Sequence, residues 1–287
     1  MMRVPHISLW TTISALMLCG CDTGVQVEDI PPERLLAISS FVSPQDSLIA
    51  VYVYKGQKVG SVIKSDSARI RDATVKVSNG SKHVNLSYNQ SSKRYEAENL
   101  FRNSEPGTIL SLEVIAPEQL TAYATAVIPP KPNDVSVKGT RVGKDYLFSV
   151  NWENPGSYKF YNVWAEVEGE IRSSIGIFPL ITSIDIPDNS FYFPSDKQAS
   201  GRNSESGIVN SAYDATSERV VLTVTVANVD DTFFKFYKSF REYQTWLANT
   251  SDNLPNFKES VPIYSNIRNG TGYFAAYNSN KKTVSIK

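Results

Sequence analysis

Pro129-Pro130-Lys131-Pro132 puts three prolines into four consecutive positions. Proline lacks a backbone N–H and has a fixed φ, so an interior sheet strand cannot run through such a stretch, which favours a stiff, extended connection. Any β-structure must therefore stop before it and start again beyond it. Residues 129–133 read as a linker between two domains, with a kink in a single edge strand as the alternative.

On the N-terminal side, residues 35–128 carry β-patterns throughout. Leu35–Val42, Leu48–Lys55, Ala73–Ser78, Ile109–Ala116 and Ala122–Ile128 are rich in Val, Ile, Leu, Thr and Tyr. Turn residues separate them: Ser43-Pro44, Asn79-Gly80, Asn89 to Ser92 and Pro106-Gly107. In Ala73-Thr74-Val75-Lys76-Val77 apolar and polar residues alternate, as a half-buried strand requires. Short strands at this spacing predict a sandwich, immunoglobulin-like or transthyretin-like.

Residues 134–287 read as a second β-rich domain. Asp145–Trp152, Phe160–Val167 and Val220–Val226 have strand character, and 187–217 reads as a loop containing the cluster Phe191-Tyr192-Phe193. Glu166, Glu168 and Glu170 fall on one side of a strand, which fits a solvated face better than a calcium site. Asp230 and Asp231 are placed to cap a helix over about 232–247. Phe233, Phe236, Tyr237, Phe240, Tyr243 and Leu247 share one face of that helix at 3.6-residue periodicity. Such a stripe suits packing across a sandwich; Phe234 and Trp246 lie off it and are candidates for partner contacts. Tyr273–Tyr277 and Thr283–Ile286 read as a closing hairpin after the Asn269-Gly270 turn. The expected fold is thus mainly β: two sandwich-like domains, the second with one amphipathic helix.

The N-terminus predicts an address. Arg3 is followed by an apolar run from Ile7 to Leu18, too short for the roughly 20 residues that span a bilayer. Small Gly20 precedes Cys21, and Leu18 lies three residues before it. This pattern resembles a bacterial lipobox, which implies cleavage after residue 20 and a lipid anchor on Cys21 stronger than a single acyl chain. An ordinary secretory signal, or a short N-terminal helix with a chance cysteine, is the alternative. Residues 21–34, acidic and ending near Pro31-Pro32, read as a tether; Asp22, Glu28 and Asp29 are also candidates for a sorting signal.

Cleavage would leave 267 of the 287 residues, with Arg3 the single charge lost, so 28 basic residues face 29 acidic ones. That balance gives no reason to expect nucleic acid as a partner. Cys19 and Cys21 are the two cysteines, so acylation of Cys21 would leave no disulfide, and the fold must rest on apolar burial.

The residue types also restrict chemistry. With His83 the sole histidine after cleavage and no free thiol, zinc is not expected, and the carboxylates that remain suit harder ions; no metal site or cofactor is assigned. A Ser-His-Asp triad would need His83, which sits in the alternating strand pattern Lys82-His83-Val84-Asn85-Leu86 without a Gly-x-Ser-x-Gly turn. Two carboxylates suffice for glycoside hydrolysis, so residue types leave that class open. No catalytic residue is assigned.

Several of these features occur together in one family. The lipobox, Arg71-Asp72-Ala73-Thr74-Val75, Ile128-Pro129-Pro130, the aromatic helix and Pro262-Ile263-Tyr264-Ser265-Asn266-Ile267 with Asn269-Gly270 and Gly272 resemble the lipoproteins grouped as domain of unknown function 4249, common in Bacteroidetes. The resemblance implies an outer-membrane, periplasmic or surface-exposed lipoprotein and, because such genes often neighbour TonB-dependent transporters, an accessory role beside one. It carries no catalytic residue. A non-catalytic component binding a transporter, a glycan or a peptide is the leading expectation; a carboxylate-dependent glycan hydrolase is the alternative. Asp46-Ser47-Leu48 and Asp66-Ser67-Ala68 also resemble the O-glycosylation acceptor pattern of such bacteria.

Overall fold

The computed structural model describes residues 35–56, 67–143, 145–155, 160–173, 176–185, 201–209, 220–250 and 261–286. Cys21, the tether, Asp66 and Phe191-Tyr192-Phe193 lie outside them.

The first unit contains β1 (Leu36–Val42), β2 (Leu48–Lys55), β3 (Thr74–Ser78), β4 (His83–Asn89), β5 (Arg94–Glu98), β6 (Ile109–Ile115) and β7 (Thr121–Val127). β1, β6 and β7 bury every second residue, because successive side chains point to opposite faces. β4 pairs through His83–Leu86 with β3 and through Ser87–Asn89 with β5, so one strand passes from one sheet to the other. Leu36, Ile38, Ile49, Val51, Val75, Val77, Leu110 and Leu112 fill the space between the layers at 2% exposure or less. The result is a β-sandwich.

The second unit contains β8 (Asn133–Val142), β9 (Asp145–Asn154), β10 (Tyr161–Ser173), β11 (Gly176–Asp185), β12 (Gly201–Val209) and β13 (Val220–Val229), then helix α1 (Asp231–Thr250) and β14 (Gly270–Ile286). β12, β9 and β8 form one layer. Val135, Phe148, Val150 and Trp152 from that layer pack on Tyr161, Val163, Ala165, Leu222, Val224, Val226 and Ile286 from the other. Trp152 and Tyr161 meet edge to face at 4.8 Å.

Three sequence expectations change. The expected hairpin at the C-terminus is one continuous 17-residue strand, β14. Its first part, Gly270–Ala276, runs parallel to β1, and its second part, Tyr277–Ile286, runs antiparallel to β13. Partners far away in sequence, rather than a local turn, set its conformation. The expected loop 187–217 contains β12, whose sequence Gly-Arg-Asn-Ser-Glu-Ser-Gly-Ile-Val has no apolar alternation for most of its length. It is an edge strand held by backbone pairing to β9, so side-chain pattern could not reveal it. The helix begins at Asp231 and ends at Thr250, a little longer than expected.

The C-terminal segment crosses the division expected at 129–133. Ile267, Phe274 and Ala276 belong to the core of the first sandwich, whereas Ile286 belongs to that of the second.

Candidate functional site

Cys21, the one site residue expected from the sequence, lies outside the described residues, but several other motif residues converge where the two sandwiches join. β7 is the end strand of its sheet and presents outward backbone groups. An open edge of this kind invites pairing with foreign strands. Here it is closed without a full partner strand. Tyr123 and Arg268 exchange both backbone hydrogen bonds, at 3.2 and 2.8 Å. Asn266 Nδ2 donates to the Thr125 carbonyl at 3.0 Å, and Val127 N–H donates to Asp230 Oδ2 at 3.4 Å.

Asp230 occupies the centre of this clasp. Its Oδ1 accepts the Phe233 N–H at 2.8 Å, the N-cap to third-residue bond that satisfies an otherwise orphaned helix donor. Oδ2 also accepts the Ala276 N–H at 2.9 Å. One carboxylate therefore ties α1, β14 and β7 together. It is 4% exposed. Burial pushes its pKa up to about 6, against the opposing pull of its three backbone donors.

Asn266 mirrors it from the Pro-Ile-Tyr-Ser-Asn-Ile segment. Its Oδ1 accepts the Phe274 N–H at 3.0 Å, and its Nδ2 donates to the Phe274 carbonyl at 2.9 Å, as a neighbouring strand would. Tyr264 N–H donates to Ser239 Oγ at 2.8 Å, which fixes the segment along α1. Gly270 and Gly272 complete the signature. Opposite Leu36 and Ile38 in the parallel pairing, they lie so close that a Cβ would meet the Leu36 carbonyl oxygen at 2.5 Å and that of Ile38 at 1.9 Å. Asn266→Ala is expected to cost about 2–4 kcal/mol in urea unfolding, because the Phe274 amide and carbonyl lose their partners together. A loss under about 0.5 kcal/mol would show that these bonds are replaced.

The proline stretch is pinned to the same region. Asn228, Asn278 and Asn280 donate from Nδ2 to the carbonyls of Pro130, Pro129 and Pro132 at 2.8, 2.9 and 3.1 Å. Three asparagines on paired strands thus take up carbonyls that the prolines' missing N–H groups leave outside any ladder. The β1–β2 turn adds a further tie: Tyr277 O–H donates to Asp46 Oδ2 at 2.9 Å, and Ser279 N–H donates to Gln45 Oε1 at 2.9 Å. Burial pushes both the Asp46 carboxyl and the Tyr277 phenol up, the latter further through Asp46 itself.

The aromatic stripe of α1 packs on the outer face of β1 and β14. Phe233 meets Phe41 at 4.6 Å, and Phe236 meets Tyr273 at 4.0 Å. Toward the helix C-terminus the burial fades, and Leu247 is 52% exposed. Phe234, a candidate for partner contacts, stacks on Phe160 at 4.1 Å. The off-stripe direction faces the start of β10, which periodicity within one helix could not show. Trp246 is half-buried and stacks on Tyr243 at 5.8 Å.

His83 is exposed at the start of β4, opposite Ser78. Glu166, Glu168 and Glu170 lie along β10, where the side chains of the latter two are outside the described residues. Among the described residues no group of three or more His, Cys, Asp or Glu is placed to hold a metal ion, and no helix is long and apolar enough to cross a membrane. Ser47 is exposed beside the engaged Asp46, and Ser67 is exposed at the border of the described residues.

A groove of about 450 Å³ lies outside the first sandwich, lined by Lys76, Ser78, Ser111, Glu113, Tyr123 and Arg268 among others. Sequence reasoning missed it, because its residues come from four separate segments that only strand register brings together.

These features define a mainly β protein of two sandwiches, joined through a shared strand and a helix-capping clasp. The chain belongs to the family described as Domain of unknown function (DUF4249), whose model matches residues 23–283. The clasp residues Asp230, Asn266, Gly270 and Gly272 all fall within that span. No curated protein matches the sequence. Among solved structures the chain is similar to one titled "Crystal structure of chicken CNTN1 FN1-FN3 domains", at 11% identity and a TM-score of 0.26. The match covers 66% of this chain and spans 59% of that one.

Proposed function

We propose that this protein is a lipoprotein of a Bacteroidetes-type cell envelope, anchored in the outer membrane through lipid on Cys21, and that it acts as a non-catalytic accessory or binding component, with a TonB-dependent transporter as the partner class. The anchor rests on Arg3, the short apolar run and Gly20-Cys21. The observation that carries the non-catalytic part is the engagement of Asp230. This carboxylate has the raised pKa of a general acid, yet it is 4% exposed and committed to three backbone donors across three elements. Its chemistry serves the fold. The carboxylate lining the outer groove, Glu113, forms a salt bridge with Lys76.

Cys21→Ala is expected to move the protein from the membrane fraction to the soluble fraction after a high-salt wash and to abolish labelling by radioactive palmitate. Retention in the membrane would overturn the anchor. Crosslinking of the full chain in cells is expected to co-purify an outer-membrane transporter. Turnover of glycans by the purified full chain, with no transporter captured, would favour the hydrolase alternative.

A further inference from the structure

The groove outside the first sandwich has an ordered lining. Lys76, Glu113 and Tyr123 stand opposite one another across β3, β6 and β7, and the Tyr123 bridge adds Arg268 to the row. Two residues along the strands, Ser78, Ser111 and Thr125 form a second row of hydroxyls. With neighbouring strands about 4.8 Å apart, four positions span about 14 Å. The site is therefore a short polar trough: one side offers hydroxyls, and the other an aromatic ring between charged groups.

The charges are unequal. Lys76 and Glu113 neutralise each other in a salt bridge. Arg268 is exposed, and its guanidinium has no partner among the described residues. A free planar guanidinium suits a carboxylate through two parallel hydrogen bonds. Tyr123 is 40% exposed, so part of its ring is open to a ligand. An added peptide strand would require open backbone groups on β7. Of these, both groups of Tyr123, the Thr125 carbonyl and the Val127 N–H are already engaged, by Arg268, Asn266 and Asp230. The buried residues among the lining, Leu112 and Ala124, point into the core and leave no apolar pocket for a peptide side chain.

We infer that this groove is a binding site for an acidic oligosaccharide, with Arg268 taking a carboxylate, Tyr123 facing the C–H surface of a sugar ring, and Ser78, Ser111 and Thr125 exchanging hydrogen bonds with its hydroxyls. The inference rests on the binding-component reading above and gives it a ligand class. Both Arg268 and Tyr123 keep their backbone bridge whatever their side chains, so variants at these positions separate recognition from folding.

The test is isothermal calorimetry on the full chain in detergent, against a panel of uronate-containing oligosaccharides and neutral oligosaccharides of matched length. Saturable binding of at least one uronate-containing ligand is expected, weakened at least tenfold by Arg268→Ala and by Tyr123→Ala, with melting temperatures near wild type. Arg268→Ala is expected to leave any weaker binding of neutral ligands unchanged. No saturable binding across the panel, or acidic-ligand binding untouched by both variants, would overturn the site. Either result would leave the capture of a transporter by crosslinking as a separate matter, so the two readings fail independently.

Discussion

Gly272→Ala is expected to be the most damaging glycine-to-alanine change among the described residues, lowering the unfolding free energy by more than about 3 kcal/mol. Two effects combine. Gly272 has φ +104°, a backbone region that side-chain-bearing residues rarely adopt, and a Cβ there would lie 1.9 Å from the Ile38 carbonyl oxygen. The obstacle is backbone in a paired strand, not the movable end of a side chain. β14 would have to withdraw from β1, and Phe274 and Ala276 would leave the core of the first sandwich. Gly80→Ala is the matched control: its φ is +88° but nothing lies within 4 Å of the added carbon. That change is expected to cost about 1 kcal/mol, the backbone penalty alone. Urea titrations of the two variants measure the difference. Equal losses would mean that the strand pair absorbs the clash.

Asp230 is expected to leave a signature in the pH dependence of stability. Its carboxyl is raised from 3.8 to about 6 by burial, so the folded state binds this proton more tightly than the unfolded chain does. The associated stability is complete below about pH 4 and declines as pH rises through about 6, by an amount on the order of 3 kcal/mol. Asp230→Asn removes the titration, so wild-type stability relative to that of the variant is expected to fall over this window and level off above it. Difference curves between the two proteins isolate this residue from Asp46, which is raised by burial as well, and from Glu96, which its Arg94 partner lowers. A flat difference from pH 4 to 7 would refute the assignment. Asp230→Ala is also expected to cost about 3 kcal/mol or more at pH 5, because Phe233, Ala276 and Val127 lose an acceptor at once.

Both predictions come from residues that are visible in the sequence but only part of whose purpose is. Asp230 reads as a helix cap because it precedes an amphipathic pattern, and that role is local enough to be legible. Its bonds to Val127 and Ala276, 103 and 46 residues away, are not. Asn269-Gly270 reads as a turn, and the chain does turn at Asn269, with φ +58°. What the dipeptide does not show is that Gly270 begins a strand passing close to β1, where the need for glycine arises from a neighbour more than two hundred residues earlier. The same limit hid the groove: alternation along β3, β6 and β7 shows which side chains face outward, but not which of them stand opposite one another.

By itself the sequence determined the β-rich class, the alternating faces of the strands of the first sandwich, the capped aromatic helix and the break at Pro129-Pro130-Lys131-Pro132. These follow from periodicity, fixed φ and missing N–H groups, which act within a few residues. Tertiary structure alone decided that β14 serves both sandwiches, that three asparagines hold the proline carbonyls, and that a polar groove forms beside Arg268. Those depend on strand register, and register is settled by contacts between segments that only the folded chain brings together.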